Sequence, residues 1–147
     1  MKRIFIYYSL TGNGDKVANI LMSKGIDIRK VIPVKSLPNS KVGSIFKGGF
    51  LAGINHKEKL LDFNEDIGSY EHVIIGTPIW NSRLSCPINT VLSKLYLSNK
   101  KLTFILYSAS GKDNKAMEKI KKLYPDSTII NIKEPKDLDT ISELDNL

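Results

Sequence analysis

The sequence predicts an α/β fold, a five-stranded parallel sheet with helices on both faces, doubly wound in the order 2-1-3-4-5. Short apolar and β-branched runs, KRIFIYY at 2–8, EHVIIGT at 71–77, LTFILYS at 102–108 and TIINI at 128–132, alternate with amphipathic segments. Strands buried on both faces of a parallel sheet read this way, and right-handed crossovers put the intervening helices on its two faces. A further run, IRKVIPV at 28–34, contains Pro33. Proline cannot donate to a ladder, so this second strand belongs at an edge, where that order places it.

The elements follow in sequence. Strand 1 spans Lys2–Tyr8, and from Asp15 onward Val17, Ala18, Leu21 and Met22 make a helical apolar stripe that Gly25 ends. Strand 2 covers Ile28–Val34. Residues 35–70 are punctuated by Pro38, Gly43, Gly48, Gly49 and Gly53, which predicts a long irregular segment with one short helix. Strand 3, Glu71–Thr77, enters a turn over Pro78, Ile79, Trp80, Asn81 and Ser82. A helix begins near Pro87, with Val91, Leu92, Leu95 and Tyr96 on its buried face. Strand 4, Leu102–Ser108, leads through a turn at Ser110–Asp113 to a helix burying Ala116, Met117, Ile120 and Leu123. Strand 5, Thr128–Ile132, precedes a last helix after Pro135 that carries Leu138, Ile141 and Leu144.

Length and composition bound the function. The 147 residues fit a single domain, 1–147, with enough chain for a core, and no stretch approaches the roughly 20 apolar residues of a membrane span. The N-terminus lacks the features of a secretory leader, so a cytoplasmic protein is expected. Cys86 is the only cysteine, which excludes an internal disulfide and a cysteine-rich metal site; His56 and His72 are read as surface residues. The chain carries a net charge of +7. Its lysines are scattered and not interleaved with aromatics, which argues against nucleic acid and leaves an acidic partner or an anionic substrate as what the charge would attract.

In a sheet of this order ligands bind beyond the carboxyl ends of the strands, where the order reverses between strands 1 and 3. The loops there are Ser9–Gly14 and Thr77–Ser82, with Ser108–Lys112 adjacent. The first, SLTGNG, lacks the Gly-Lys-Ser/Thr of a triphosphate loop. It also lacks the dinucleotide pattern, because Val17 stands where a third glycine belongs and Lys35 where an acidic residue would close the next strand. What remains is a neutral cup of hydroxyls, an amide and backbone N–H groups at a helix start, suited to one phosphate.

Ser9-x-Thr11-Gly12-Asn13 followed by a helix resembles the phosphate loop of the flavodoxins, the FMN-binding electron carriers. GTPIW and CPINTVLSKL resemble that family's flavin loop after strand 3, and YSASGKD stands in the place of its second flavin loop. The resemblance covers nearly the whole chain. It implies that Ser9, Leu10, Thr11, Gly12, Asn13 and Gly14 hold the FMN phosphate. It implies too that Thr77, Pro78, Ile79, Trp80 and Asn81 line the ring, with Trp80 stacking on it, and that Ser108, Ala109, Ser110 and Gly111 meet its pyrimidine side. Family members often carry Thr or Ser where Gly14 stands, so the backbone N–H must serve there. Many place a glycine in the loop after strand 3, where a peptide flip offers a carbonyl to N5 of the flavin; the candidates here are Asn81 and Ser82.

The resemblance therefore implies a monomeric FMN protein moving electrons between redox partner proteins, with no general acid or base. Familiar flavodoxins are acidic, so the +7 charge points to partners with acidic docking faces. Two other classes stand beside this one: a reductase of the same fold that turns over quinones or flavins with a nicotinamide cofactor, and a flavin-free binding module, which Gly14 keeps open. The Ile45–Gly53 segment, with two aromatics among glycines, is read either as a lid or partner-facing loop or as a short helix packed under the sheet. Cys86, at a helix start with no base nearby in sequence, is read as structural.

Overall fold

The computed structural model describes residues 1–34, 57–133 and 142–147. Along them run β1 (Arg3–Tyr7), α1 (Asn13–Ser23), β2 (Asp27–Lys30), β3 (His72–Trp80), β4 (Arg83–Leu84), α2 (Cys86–Lys94), β5 (Lys101–Ser108), α3 (Asn114–Leu123) and β6 (Thr128–Lys133), with a 3-10 turn at Ser142–Leu144. Five strands are parallel in the order β2-β1-β3-β5-β6, and β4 pairs antiparallel with β3 off that path. This differs from the predicted five-stranded order 2-1-3-4-5 by the added strand. β3 does not end at Thr77 but runs on to Trp80 and folds back, with Trp80 opposite Arg83 and Ile79 opposite Leu84.

Each face of the sheet has its own core, because alternate residues of a strand point to opposite sides. On one face Phe5, Tyr7, Ile74, Ile105 and Tyr107 pack against Val17, Ala18 and Leu21 of α1, and Leu144 joins them. On the other, Ile4, Ile6, Val73, Ile75, Phe104 and Leu106 pack against Ile88 and Val91 of α2 and Ile120 of α3. Full burial of one such side chain is worth about 1.5–3 kcal/mol, so these two layers fix the strand ends that carry the loops. Gly76 in β3 lets the layer close: a Cβ there would run into the Phe5 ring at Cζ and, at 2.6 Å, Cε2, and would stand 2.9 Å from Tyr7 Cβ.

Several expectations shift. β2 is the predicted edge strand but stops at Lys30, and Pro33 makes only an isolated bridge with Leu60. Tyr96 and Leu123 are exposed, 76% and 72%, because α2 ends at Lys94 and Leu123 is the last residue of α3. His72 is buried at the start of β3 and not on the surface. Ile45–Gly53, His56 and residues 134–141, which include Leu138 and Ile141 of the expected last helix, lie outside the described residues. No helix among the described residues is long and apolar enough to cross a membrane.

Candidate functional site

β1, β3 and β5 are neighbours at the centre of the sheet, so their carboxyl ends bring three loops together. After β1 the chain leaves through Tyr8, whose N–H still donates to Gly76 O at 3.1 Å. It then turns at Gly12, which adopts the left-handed conformation (φ 86°, ψ −4°) that a side chain disfavours and stands as N-cap of α1. As a glycine the N-cap has no side chain to offer the first-turn amides, and the positive dipole end of the helix faces the loop. The Gly14 N–H donates to Ser9 Oγ at 3.0 Å, closing the loop on its own hydroxyl.

A cleft of about 140 Å³ opens between these strand ends. Its walls are Ser9, Leu10, Thr11 and Asn13 from the first loop, Pro78, Ile79 and Trp80 from the end of β3, and Tyr107, Ser108 and Ala109 from the end of β5. Nine of these ten are residues that the sequence singles out; Tyr107 is the tenth. Trp80 is 9% exposed and set edge-on to Tyr8, with ring centroids 6.0 Å apart, so the indole belongs to the core as well as to the cleft.

The other predicted residues stand off the cleft wall. Gly12 and Gly14 supply the backbone of the loop. Thr77 is fully buried, with its hydroxyl accepting from Ser85 N at 3.2 Å and paired with Ser85 Oγ at 3.0 Å, so it ties the base of the β3–β4 hairpin. Asn81 and Ser82 form the hairpin's two-residue turn, both left-handed at φ 49° and 55°, as a turn matched to strand twist requires. Ser82 Oγ donates to Asp113 Oδ2 at 2.9 Å and Lys119 Nζ donates to Ser82 O at 2.9 Å, which fastens the tip to α3. In the third loop Gly111, at φ 82°, donates its N–H to Ser108 Oγ at 3.1 Å. Ser110 Oγ donates to Lys112 O at 3.2 Å, and Asp113 caps α3 through Ala116 N at 3.0 Å.

Sequence reasoning missed a polar network under the first loop. Tyr7 Oη donates to Asp15 Oδ1 at 2.7 Å, and Lys30 Nζ donates to the same oxygen at 2.6 Å. Tyr107 Oη donates to Tyr8 O at 2.6 Å. Burial drives the Tyr107 phenol well above its usual range, helped by Tyr7 and Asp15, and drives that of Tyr7 up as well, helped by its bond to Asp15. The Tyr8 phenol is pushed up to about 12, by burial first and then by Glu58 and Cys86. All three hydroxyls therefore stay protonated donors at neutral pH. The available signal was position: Tyr7 and Tyr107 sit at the ends of their strands, on the face that α1 covers. Cys86 is buried and its thiol pushed up to about 11 by burial, with Glu58 adding to the shift, an inert rather than reactive state.

A larger hollow, about 300 Å³, lies between α2 and α3 behind the hairpin, with Leu84, Leu92 and Ile120 on its floor and Lys57, Arg83 and Lys119 at its walls. Of the residues that the sequence singles out for the site, only Ser82 lines it. Among the described residues no cluster of three or more His, Cys, Asp or Glu is arranged to hold a metal.

No protein-family model matches the sequence, and no curated protein sequence does. Solved structures do match. A candidate flavoprotein from Bacteroides eggerthii is 23% identical, aligned over 87% of this chain and 84% of its own, with a TM-score of 0.70. Another from Bacteroides uniformis is 18% identical over 87% and 85%, TM-score 0.72. A flavoprotein from Lactobacillus acidophilus, crystallised in complex with FMN, is 19% identical over 96% and 98%, TM-score 0.67. At these identities the likeness is one of architecture: this chain shares the α/β fold of the Lactobacillus flavoprotein across nearly the full length of both.

Proposed function

We propose that this chain binds one FMN non-covalently across the ends of β1, β3 and β5 and carries electrons between protein partners. The observation that carries the reading is the convergence, at the reversal of strand order, of a helix start behind a left-handed N-cap glycine with an aromatic wall. A shared fold with a flavoprotein crystallised with FMN supports it. The residues fit the group in part. The first loop offers Ser9 and Thr11 hydroxyls, the Asn13 amide and backbone N–H groups to a phosphate, while Pro78, Ile79, Trp80, Ser108 and Ala109 flank the place for a ring. The cleft, at about 140 Å³, is smaller than the roughly 300 Å³ of a typical ligand pocket, so it seats part of the nucleotide and the rest lies across the open rims.

Bound FMN would supply one- and two-electron transfer; the chain holds the phosphate, orients the ring and shields one side of it. The basic excess fits a carrier whose partners present acidic faces; Arg83 pairs in register with Trp80 of the cleft wall, and Lys57 and Lys119 line with Arg83 the hollow behind the hairpin. Titrating FMN with the protein tests the reading. Saturable one-to-one quenching of flavin fluorescence is expected, and absence of quenching overturns it. NADPH or NADH added to the flavin-loaded protein then separates the classes: rapid bleaching without a reductase would identify a turnover enzyme instead of a carrier.

A further inference from the structure

Resting on the FMN reading, the geometry points to Tyr107 as the positioning residue of the phosphate loop, paired with Gly14: its hydroxyl fills the space of a side chain at position 14 and holds the loop through Tyr8 O. A Cβ built on Gly14 would lie 2.7 Å from Tyr107 Oη, 2.7 Å from Tyr7 Cδ2 and 2.9 Å from Ser9 Cβ. Real Cβ atoms do not approach that closely. Position 14 must therefore be glycine, for lack of room rather than for backbone freedom, because its φ is not among the positive values.

The hydroxyl that blocks a side chain at 14 has its own task. Tyr107 Oη donates to Tyr8 O at 2.6 Å, a contact between residues 99 apart in sequence. Tyr8 O belongs to the peptide that begins Ser9, so this bond fixes where the 9–14 loop departs from β1. The loop's far end closes through Gly14 N–H on Ser9 Oγ. One end of the loop is thus set by β5 and the other by the loop's first hydroxyl. A phosphate oxygen is a stronger acceptor than a hydroxyl, so an arriving phosphate takes the Gly14 N–H and frees Ser9 Oγ to turn and donate to it as well. Tyr107 keeps its proton on Tyr8 O throughout; it shapes the cup and does not touch the phosphate.

Tyr107→Phe removes the bond, leaves Tyr8 O without that donor and keeps the ring that walls the cleft. The expected result is about tenfold weaker FMN binding, the worth of one buried hydrogen bond, with riboflavin, which has no phosphate, bound as in the unaltered protein. FMN affinity within about twofold of the original overturns the inference, and so does an equal loss for FMN and riboflavin, which would make Tyr107 a ring wall only. Failure of the unaltered chain to bind FMN sinks the FMN reading and is read separately. Should Tyr107→Phe not fold, the unaltered protein decides by NMR with inorganic phosphate. Shifts concentrated at the Ser9 and Gly14 amides are expected, and a titration that leaves both in place overturns the inference.

Discussion

Acid should destabilise this fold through His72, and the amount follows from where that residue sits. The imidazole is 2% exposed, with Nε2 2.9 Å from Thr103 Oγ1 on the adjacent strand. Burial chiefly, with Lys101 and Arg3 nearby, lowers its pKa from 6.5 to about 4. The fold keeps the neutral ring, so between pH 6.5 and 4 the unfolded chain binds the extra proton and stability falls as pH drops through that window. Stability from this group is complete above 6.5. At about 1.36 kcal/mol per pH unit, the loss is about 2 kcal/mol at pH 5 and about 3 kcal/mol below pH 4. Urea unfolding at pH 7.5, 6 and 5, for the unaltered protein and for His72→Gln, isolates the term, since the carboxylates titrate in both. The variant should lose about 2 kcal/mol less than the parent between pH 7.5 and 5. Parallel losses refute the assignment, as would an NMR midpoint above pH 6 for the His72 ring, one of only two histidine signals the chain can give.

Two further substitutions separate packing from binding. Trp80→Ala empties a site that is both core and cleft, so unfolding free energy should fall by about 3 kcal/mol and FMN affinity by tenfold or more, since base–aromatic stacking is worth about 1–3 kcal/mol. Fluorescence titration of the folded fraction reads the second effect, and unchanged affinity would rule out a flavin contact by the indole. Gly76→Ala pushes a methyl onto the Phe5 ring, which stacks on that of Tyr7 with centroids 4.9 Å apart, and onto Tyr7 Cβ, and should cost about 1–3 kcal/mol by thermal melt; a neutral result would mean that the layer under β3 has room that the structure does not show.

The parts of the fold that were legible are those written in local periodicity. KRIFIYY and LTFILYS declare buried strands, Pro33 declares an edge, and Val17, Ala18 and Leu21 declare the face of α1 that the structure buries, although Met22, read on the same stripe, is exposed. The hairpin was not legible, because its turn is Asn81-Ser82 and not the Asn-Gly that signals a left-handed two-residue loop. Pro78 pushed the reading the same way. It reads as a turn residue, yet it pairs in register with Tyr107 inside the sheet. Tyr96 is exposed because α2 stops at Lys94 although the helical spacing continues, and Leu123 because it is the last residue of α3; spacing alone carries neither end. His72 reads as a surface residue because a lone histidine gives no sign of its neighbours; its burial follows from strand register, which sets it beside Arg3 and Lys101.

The site divides along the same line. Residues contiguous in the chain, Ser9 to Asn13 and Pro78 to Trp80, could be singled out because their chemistry is local, and the structure gathers most of them around one cleft. Gly14 shows where locality ends. Read in sequence it is a missing hydroxyl and a reason to doubt a phosphate; in space a hydroxyl is there, delivered by Tyr107 from a strand 93 positions away, within 2.7 Å of where a side chain would begin. A glycine can thus be required by a neighbour rather than by its own dihedral angles. Under the FMN reading, the Gly14 N–H and Ser9 Oγ are among the donors of this loop and Tyr107 sets where they stand, so its affinity should depend on Tyr107 more than on any residue type at position 14 that the sequence would suggest restoring.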